Sequence, residues 1–126
     1  MKFIDKVVLG ILAIEHLGFG LYGLYAPTSI AELVGYELLS EFAFSEIRAN
    51  YALFTILGLL ALFSIFFNNL AKGTYFVYIV IFGSFIIGRV LNFFIMGDLQ
   101  TSIIVAIFAE LLVVGLCVWR IKLLRN

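Results

Sequence analysis

The sequence predicts an all-α fold, a bundle of four transmembrane helices with both termini in the cytoplasm. Of its 126 residues, 64% are hydrophobic and only 13% are charged. Soluble globular domains have about 45–50% apolar residues, so water is not the expected solvent of this chain. The apolar residues also form four continuous runs, whereas the strands of a membrane β-barrel would alternate over about 10 positions. The length leaves room for a single integral membrane domain, residues 1–126.

Each of the four runs is long enough to cross a bilayer. A spanning helix needs about 20 apolar residues, since each adds about 1.5 Å against a hydrocarbon core of about 30 Å. The predicted spans are residues 3–25, 46–67, 73–96 and 99–119. The first begins like a signal peptide, because Lys2 and Lys6 precede its apolar run. It is too long for a signal and carries Glu15-His16 in its middle, so we expect it to remain in the mature protein.

The connection between the first two spans is predicted to contain a short helix at the outer surface. Pro27 ends the first span, and the segment from Ser29 to Glu32 has the Ser-x-x-Glu pattern of a capping box, which places the helix start at Ser29. Gly35 is suited to end this helix. We then expect the second span to begin at Ser45-Glu46, because an acid is favourable near a helix N-terminus.

The basic residues predict the orientation in the membrane. If the helices alternate in direction, one side receives all the basic residues outside the apolar runs: Lys2, Lys6, Lys72, Arg120, Lys122 and Arg125. The opposite connections, 26–45 and 97–100, contain no Lys or Arg and carry acidic residues. Cytoplasmic loops are enriched in Lys and Arg, so we expect a multi-pass protein of the cell inner (plasma) membrane. Trp119 and Arg120 are expected to form an interfacial anchor with Lys122.

Ionisable residues inside the spans indicate a candidate site. A charge at mid-bilayer costs about 2.5–3.5 kcal/mol even on the mildest scale, so such residues usually face other helices and mark function. Helical spacing adds polar and aromatic neighbours to them. The predicted ligand-binding residues are Glu15, His16, Tyr22, Arg48, Tyr51, Arg89, Asn92 and Glu110. Gly18, Gly20 and Gly23 are expected to let another helix approach closely, which leaves a narrow polar pocket with aromatic walls.

A structural role is the alternative for these side chains. Arg89 could pair with Glu15 or Glu110 to fix the register of the helices, because its planar five-donor guanidinium suits a buried carboxylate. For His16 we expect one ring nitrogen to bond a neighbouring carboxylate or carbonyl group. Arg48 lies near the rim, where its head group could extend to water.

The scarcity of Cys and His disfavours several kinds of site. A single cysteine, Cys117, excludes an intrachain disulfide, a Cys-x-x-Cys redox pair and a thiolate metal site. A single histidine argues against a multi-histidine metal or haem site, and we predict no metal and no cofactor. Nothing in the charge distribution suggests a nucleic-acid partner. The expected partners are membrane lipids, a hydrophobic small-molecule ligand, and a second copy or a larger membrane complex.

Three functions fit this pattern. The preferred hypothesis is a binding or scaffold protein that holds a lipid-like or amphiphilic small molecule, with its head group against Arg89, Glu15 and Glu110. One alternative is a small proton-coupled transporter in which Glu15 exchanges a proton for a cation. The other is an intramembrane isomerase-like enzyme, in which Glu15, His16 and Glu110 move protons on a hydrophobic substrate. No nucleophile or cofactor motif accompanies these residues, so an enzyme is less favoured and no catalytic residue is predicted.

Four motifs carry a resemblance to a known family. They are Ser45-Glu46-Ile47-Arg48-Ala49-Asn50-Tyr51, Gly88-Arg89-Val90-Leu91, Met96-Gly97-Asp98 and Glu110-Leu111. In these motifs the chain resembles an uncharacterised bacterial family of small four-helix membrane proteins, a domain of unknown function that is loosely similar to DoxX-like proteins and the ergosterol-biosynthesis scaffold protein. That family commonly has glycines after the tyrosine, where this chain has Ala52-Leu53. The resemblance implies the fold and the positions of the site, and it implies no particular activity.

Overall fold

The computed structural model describes residues 1–124 and confirms the all-α fold class. Its five α-helices are α1 Phe3–Tyr25, α2 Pro27–Val34, α3 Glu41–Phe66, α4 Ala71–Met96 and α5 Thr101–Leu124. A short 3-10 helix, Asn68–Leu70, leads into α4. Residues 1–124 contain no strand.

Four of these helical segments are long and apolar enough to cross a membrane. They are Phe3–Tyr25, Glu41–Phe66, Asn68–Met96 and Thr101–Leu124. At about 1.5 Å per residue, even the shortest of them is about 35 Å long, which exceeds the hydrocarbon thickness of about 30 Å. The chain is therefore a multi-pass membrane protein.

The short helix α2 begins earlier than the capping box predicts. Pro27 occupies its first turn, Ala26 is the N-cap residue, and no side chain of the described residues caps this end. Proline suits the first helical position because its missing N–H would lack a partner there anyway. The predicted start at Ser29 is therefore wrong. The predicted end at Gly35 is confirmed, since this residue has φ 75° and donates its N–H to the carbonyl oxygens of Ala31 and Glu32.

The boundaries of the long helices also differ from the predicted ones. α3 begins at Glu41, more than a turn before the expected Ser45-Glu46 start, because Ser40 is its N-cap and accepts a 3.1 Å hydrogen bond from the backbone N–H of Ala43. α4 begins at Ala71, ahead of the expected residue 73. α5 begins at Thr101 and continues past the expected end at 119 to Leu124. Basic residues in the last turn of a helix are favourable, so the charges after Trp119 do not end it.

The chain forms two compact units, Met1–Asn68 and Asn69–Asn126. In the first unit α1 packs along α3. A small apolar cluster ties α2 to the start of α3, and it consists of Ile30, Ala31 and Ile47 with Leu38 and Tyr51 packed against them. In the second unit α4 packs along α5. The buried residues of α5 recur every three or four positions, which defines one helix face, and they are Glu110, Val113, Cys117 and Arg120.

Glycines allow α1 and α3 to approach each other very closely. A Cβ on Gly20 would lie 2.5 Å from the backbone nitrogen of Thr55, and a Cβ on Gly23 would overlap the ring of Tyr51. From the other side, a Cβ on Gly58 would lie 2.6 Å from the backbone nitrogen of Leu17. The predicted close approach is thus confirmed at Gly20 and Gly23. It is wrong at Gly18, where an added Cβ would meet no atom within 4 Å.

Candidate functional site

A two-oxygen ion pair joins α4 to α5. The Nε group of Arg89 donates to both carboxylate oxygens of Glu110, at 2.9 Å to Oε1 and 3.0 Å to Oε2. The Nη2 atom of Arg89 also lies 2.9 Å from Oε1. Charge-assisted hydrogen bonds of this length are about twice as strong as neutral ones. The sequence allowed Arg89 to pair with either Glu15 or Glu110, and in the structure it pairs with Glu110.

The short connection between α4 and α5 explains why these two residues meet. Gly97 ends α4 with φ 70°, and its N–H donates to the carbonyl oxygen of Phe93 at 2.8 Å. Only residues 97–100 separate the two helices, so they pack as antiparallel neighbours. Arg89 and Glu110 each lie about 12–14 Å along their helix from this connection, at about 1.5 Å per residue. They therefore lie at a similar distance from this connection, inside the membrane-spanning part of both helices.

The two partners differ in their exposure. The side chain of Glu110 is 8% exposed, whereas that of Arg89 is 38% exposed. A guanidinium has five N–H donors, and the bonds to Glu110 use Nε and Nη2. Donors on Nη1 thus remain for a further acceptor. Asn92 lies three residues after Arg89, on the same side of α4, and is exposed.

Aromatic side chains occupy the part of α4 next to Arg89. The rings of Tyr78 and Phe82 stack with centroids 5.7 Å apart, and Phe82 meets Phe85 edge to face at the same separation. Tyr78 and Phe82 are buried, whereas Phe85 is half-buried. Because Phe85 and Phe93 lie four residues to either side of Arg89, an apolar aromatic surface flanks the guanidinium on both sides.

In the first unit, His16 has the structural bond expected for it. Its Nδ1 atom lies 2.8 Å from the carbonyl oxygen of Leu12 one turn earlier. A carbonyl oxygen only accepts, so Nδ1 carries the proton. His16 is 5% exposed, and its ring meets Phe54 of α3 edge to face at 5.9 Å. The expectation that a carbonyl group holds one ring nitrogen is confirmed.

The other predicted residues of the first unit lie in three different settings. Tyr51 packs between α1 and α3, where its ring meets Phe54 edge to face at 5.2 Å and covers Gly23. Arg48 is exposed, and its Nε donates to the carbonyl oxygen of Leu24 at 3.4 Å. Glu15 and Tyr22 border a shallow groove on α1, whose other lining residues are Ile14, Gly18 and Phe19. Within this unit His16 and Tyr51 therefore share a neighbour, Phe54, and Arg48 lies apart near the end of α1.

Two buried charged residues lie outside the predicted site. Asp5, in the first turn of α1, is 0% exposed, and Arg120, in the last turns of α5, is 2% exposed. The guanidinium of Arg120 lies 4.8 Å from the ring centre of Trp119, and the interfacial anchor predicted for these two residues with Lys122 stays a prediction. A signal was present for Arg120, because it continues the three-and-four spacing of the buried face that begins at Glu110.

The side chains of the two units offer hydrogen bonding and aromatic surface. Within residues 1–124, no three His, Cys, Asp or Glu side chains are grouped so that they could hold a metal ion. Cys117 is a buried free thiol in α5. Arg89 and Asn92 present accessible polar atoms on one side of α4, and these suit a hydrogen-bonding ligand.

Comparison with known proteins gives one match. The model of a family described as "Domain of unknown function (DUF4345)" matches residues 4–121, which include most of all four long helices. None of the curated proteins and none of the solved structures matches the chain. The resemblance to an uncharacterised family is thereby confirmed, and the looser likeness to DoxX-like proteins stays a prediction.

Proposed function

We propose a function from the side chains, because the chain belongs to a family, the domain of unknown function DUF4345, whose description states no activity. The proposal is a membrane binding or scaffold protein that holds a lipid-like, amphiphilic small molecule. The polar head group hydrogen-bonds to Arg89 and Asn92 of α4, and the tail lies along the neighbouring aromatic residues. One observation carries this proposal: Arg89 is fixed by Glu110 at 2.9 Å and yet is 38% exposed.

The cost of polar groups in hydrocarbon supports a ligand at this position. A donor that leaves water without finding an acceptor loses about 2–7 kcal/mol, depending on the reference state. Arg89 lies about 12 Å along α4 from the connection between α4 and α5 at about 1.5 Å per residue, and at such a depth its donors would reach water only by displacing lipid. An amphiphile with an oxygen in its head group supplies the missing acceptor, while its tail replaces lipid against the aromatic residues.

A purely structural ion pair is the competing explanation, and Asn92 weighs against it. A pair that only fixes the register of α4 and α5 needs Arg89 and Glu110 and nothing more. Asn92 adds an exposed amide on the same side of α4, although an apolar residue there would suit lipid better. An amide beside a half-exposed guanidinium is expected where a polar group of a ligand binds.

Loss of the Arg89 head group is expected to release the bound molecule. We expect wild-type protein, purified in mild detergent, to retain an amphiphile that native mass spectrometry detects as added mass. Arg89→Ala should lower the retained fraction about tenfold or more, because a hydrogen bond to a charged group contributes about 1.5–3 kcal/mol.

Lys72→Ala is the matched control for this experiment. Lys72 is an exposed cation on the same helix, about 25 Å from Arg89 at about 1.5 Å per residue. Its removal should leave the retained fraction unchanged. Wild-type protein free of added mass, or Arg89→Ala protein that retains as much as wild type, would contradict the proposal.

We further propose that the protein lies in the cell inner (plasma) membrane with both termini cytoplasmic. Support comes from Lys2, Lys6, Lys72 and Lys122, which fall on one side of alternating helices, while Arg125 lies outside the described residues. Arg120 lies near the same end of α5 as Lys122 and counts toward the same side. The acidic connections then face outward.

Cysteine labelling tests this orientation. In a Cys117→Ala background, Glu37→Cys and Asp98→Cys should react with a membrane-impermeant maleimide in intact cells. Lys72→Cys should react only after the membrane is permeabilised. The opposite pattern would show that the termini lie outside.

A further inference from the structure

We infer that the head group bound at Arg89 is uncharged and presents a hydroxyl or carbonyl oxygen, and that it is not an anion such as a phosphate or a carboxylate. This inference rests on the proposed function and specifies its ligand class. It follows from the charges around the guanidinium, from the hydrogen-bonding atoms beside it, and from the burial of Glu110.

The charge of Arg89 is already neutralised. Three contacts of 2.9–3.0 Å join its guanidinium to the carboxylate of Glu110, so the pair has a net charge of zero. An anion that bound to Arg89 would lie close to this carboxylate as well, and its attraction to the cation would be largely offset by repulsion. It would also lose its hydration on entering the membrane, without a free positive charge in return.

The second unit offers no further cation near the pair among its described residues. Lys72 lies about 25 Å from Arg89 along α4, and Arg120 lies about 15 Å from Glu110 along α5, at about 1.5 Å per residue. The nearest connection, residues 97–100, carries Asp98 and no basic residue. Within the described part of the second unit, the residues around the pair therefore do not favour an anion either.

The polar atoms beside the pair match a neutral head group. Arg89 has N–H donors on Nη1, and Asn92 one turn later has both a donor and an acceptor in its amide. A hydroxyl oxygen can accept from Arg89 while its hydrogen is donated to the Asn92 carbonyl oxygen. A ketone or quinone oxygen can accept from both residues. Phe85 and Phe93 on the same side of α4 provide surface for an isoprenoid or acyl tail.

An anionic ligand could still bind by displacing Glu110 from Arg89. The burial of Glu110 opposes this displacement. The Glu110 side chain is 8% exposed, so it has little access to water on losing Arg89. Breaking a buried pair leaves an uncompensated charge, which is strongly unfavourable. An anion that displaced Glu110 would have to replace the bonds from Nε and Nη2 that the carboxylate already accepts.

Two pairs of ligands, each with a common tail and two different head groups, distinguish a neutral head group from an anionic one. Geranylgeraniol and geranylgeranyl phosphate, and in parallel octadecanol and octadecyl phosphate, are titrated onto delipidated full-length protein in phosphatidylcholine nanodiscs. Native mass spectrometry measures the bound fraction. We expect the alcohol of at least one pair to bind about tenfold more tightly than its phosphate, because the phosphate meets a neutralised cation.

Glu110→Gln provides the decisive variant. It keeps the shape of the side chain and leaves the charge of Arg89 uncompensated. The variant should therefore bind the phosphate more tightly than the alcohol. Asn92→Leu keeps the ion pair intact and should weaken the alcohol more than the phosphate, which tests the inference even if Glu110→Gln does not fold.

The outcomes distinguish this inference from the function on which it rests. A wild-type preference for the phosphates, or a preference unchanged in both variants, would overturn the neutral head group and leave lipid binding in place. If no alcohol and no phosphate binds and the purified protein retains no amphiphile, the proposed function itself fails.

Discussion

Replacing Gly20 with alanine is expected to lower the free energy of unfolding by about 2–3 kcal/mol, since overpacking a filled interface costs about 1–3 kcal/mol or more. The added methyl group would lie 2.5 Å from the backbone nitrogen and 2.8 Å from the Cα atom of Thr55. Backbone atoms cannot turn aside as the end of a flexible side chain can. α1 and α3 would therefore have to separate along their contact, and the loss is measured as a lower midpoint of denaturation by SDS.

Gly18 provides the matched control on the same helix. An added Cβ there would meet no atom within 4 Å, so Gly18→Ala should be neutral or slightly stabilising, because alanine is favoured over glycine in helices by up to about 1 kcal/mol. Gly58→Ala, which approaches the backbone of Leu17 from the other helix, should behave like Gly20→Ala. Equal stability of the Gly18 and Gly20 variants would show that the two helices do not pack as described.

Replacing Glu110 with leucine should destabilise the second unit about as much as Gly20→Ala destabilises the first. The substitution leaves the Arg89 guanidinium without its partner inside the membrane-spanning part of α4, and loss of one partner from a buried pair costs about 3–5 kcal/mol. Because Arg89 is 38% exposed, the lower end of that range, about 3 kcal/mol, is expected. The measurement is the same denaturation midpoint, followed by a signal from α4 or α5.

The double variant Arg89→Leu with Glu110→Leu distinguishes the cost of an uncompensated charge from the cost of altered packing. If the penalty comes from an uncompensated charge, removing both charges should restore most of the stability lost in Glu110→Leu, since apolar replacement of a buried pair is often neutral. Simple addition of the two single-variant losses would mean that the side chains act independently and that the observed bonds contribute little.

The long helices were predictable because a run of 20 apolar residues is a strong signal, whereas their ends were not. Both Ser40 and Ser45 are good N-cap residues, and only the structure shows that Ser40 accepts the bond from Ala43. The start of α2 was missed for a similar reason, since the fixed φ of Pro27 starts the helix before the capping box can act. Gly35 was predictable because a left-handed C-cap strongly favours glycine.

The contact between Arg89 and Glu110 was only partly predictable from the sequence. Counting residues gives the depth of Arg89 and Glu110, but it does not give the direction in which each side chain points. The four-residue connection was the available signal for their contact, because it forces α4 and α5 to be antiparallel neighbours. The burial of Arg120 was not predicted, since charged residues near the end of a span usually extend to water, and its place on a buried helix face outweighs that tendency.

The neutrality of the Arg89–Glu110 pair has a consequence for the response of the protein to membrane voltage. A single charge moved across a potential of 100 mV does about 2.3 kcal/mol of electrical work. Arg89 and Glu110 lie at one depth and are bonded to each other, so any displacement of the α4–α5 hairpin along the field moves both charges together. The two contributions cancel, so the work that the resting potential does on this pair is zero, and the pair gives the hairpin no voltage sensitivity of its own.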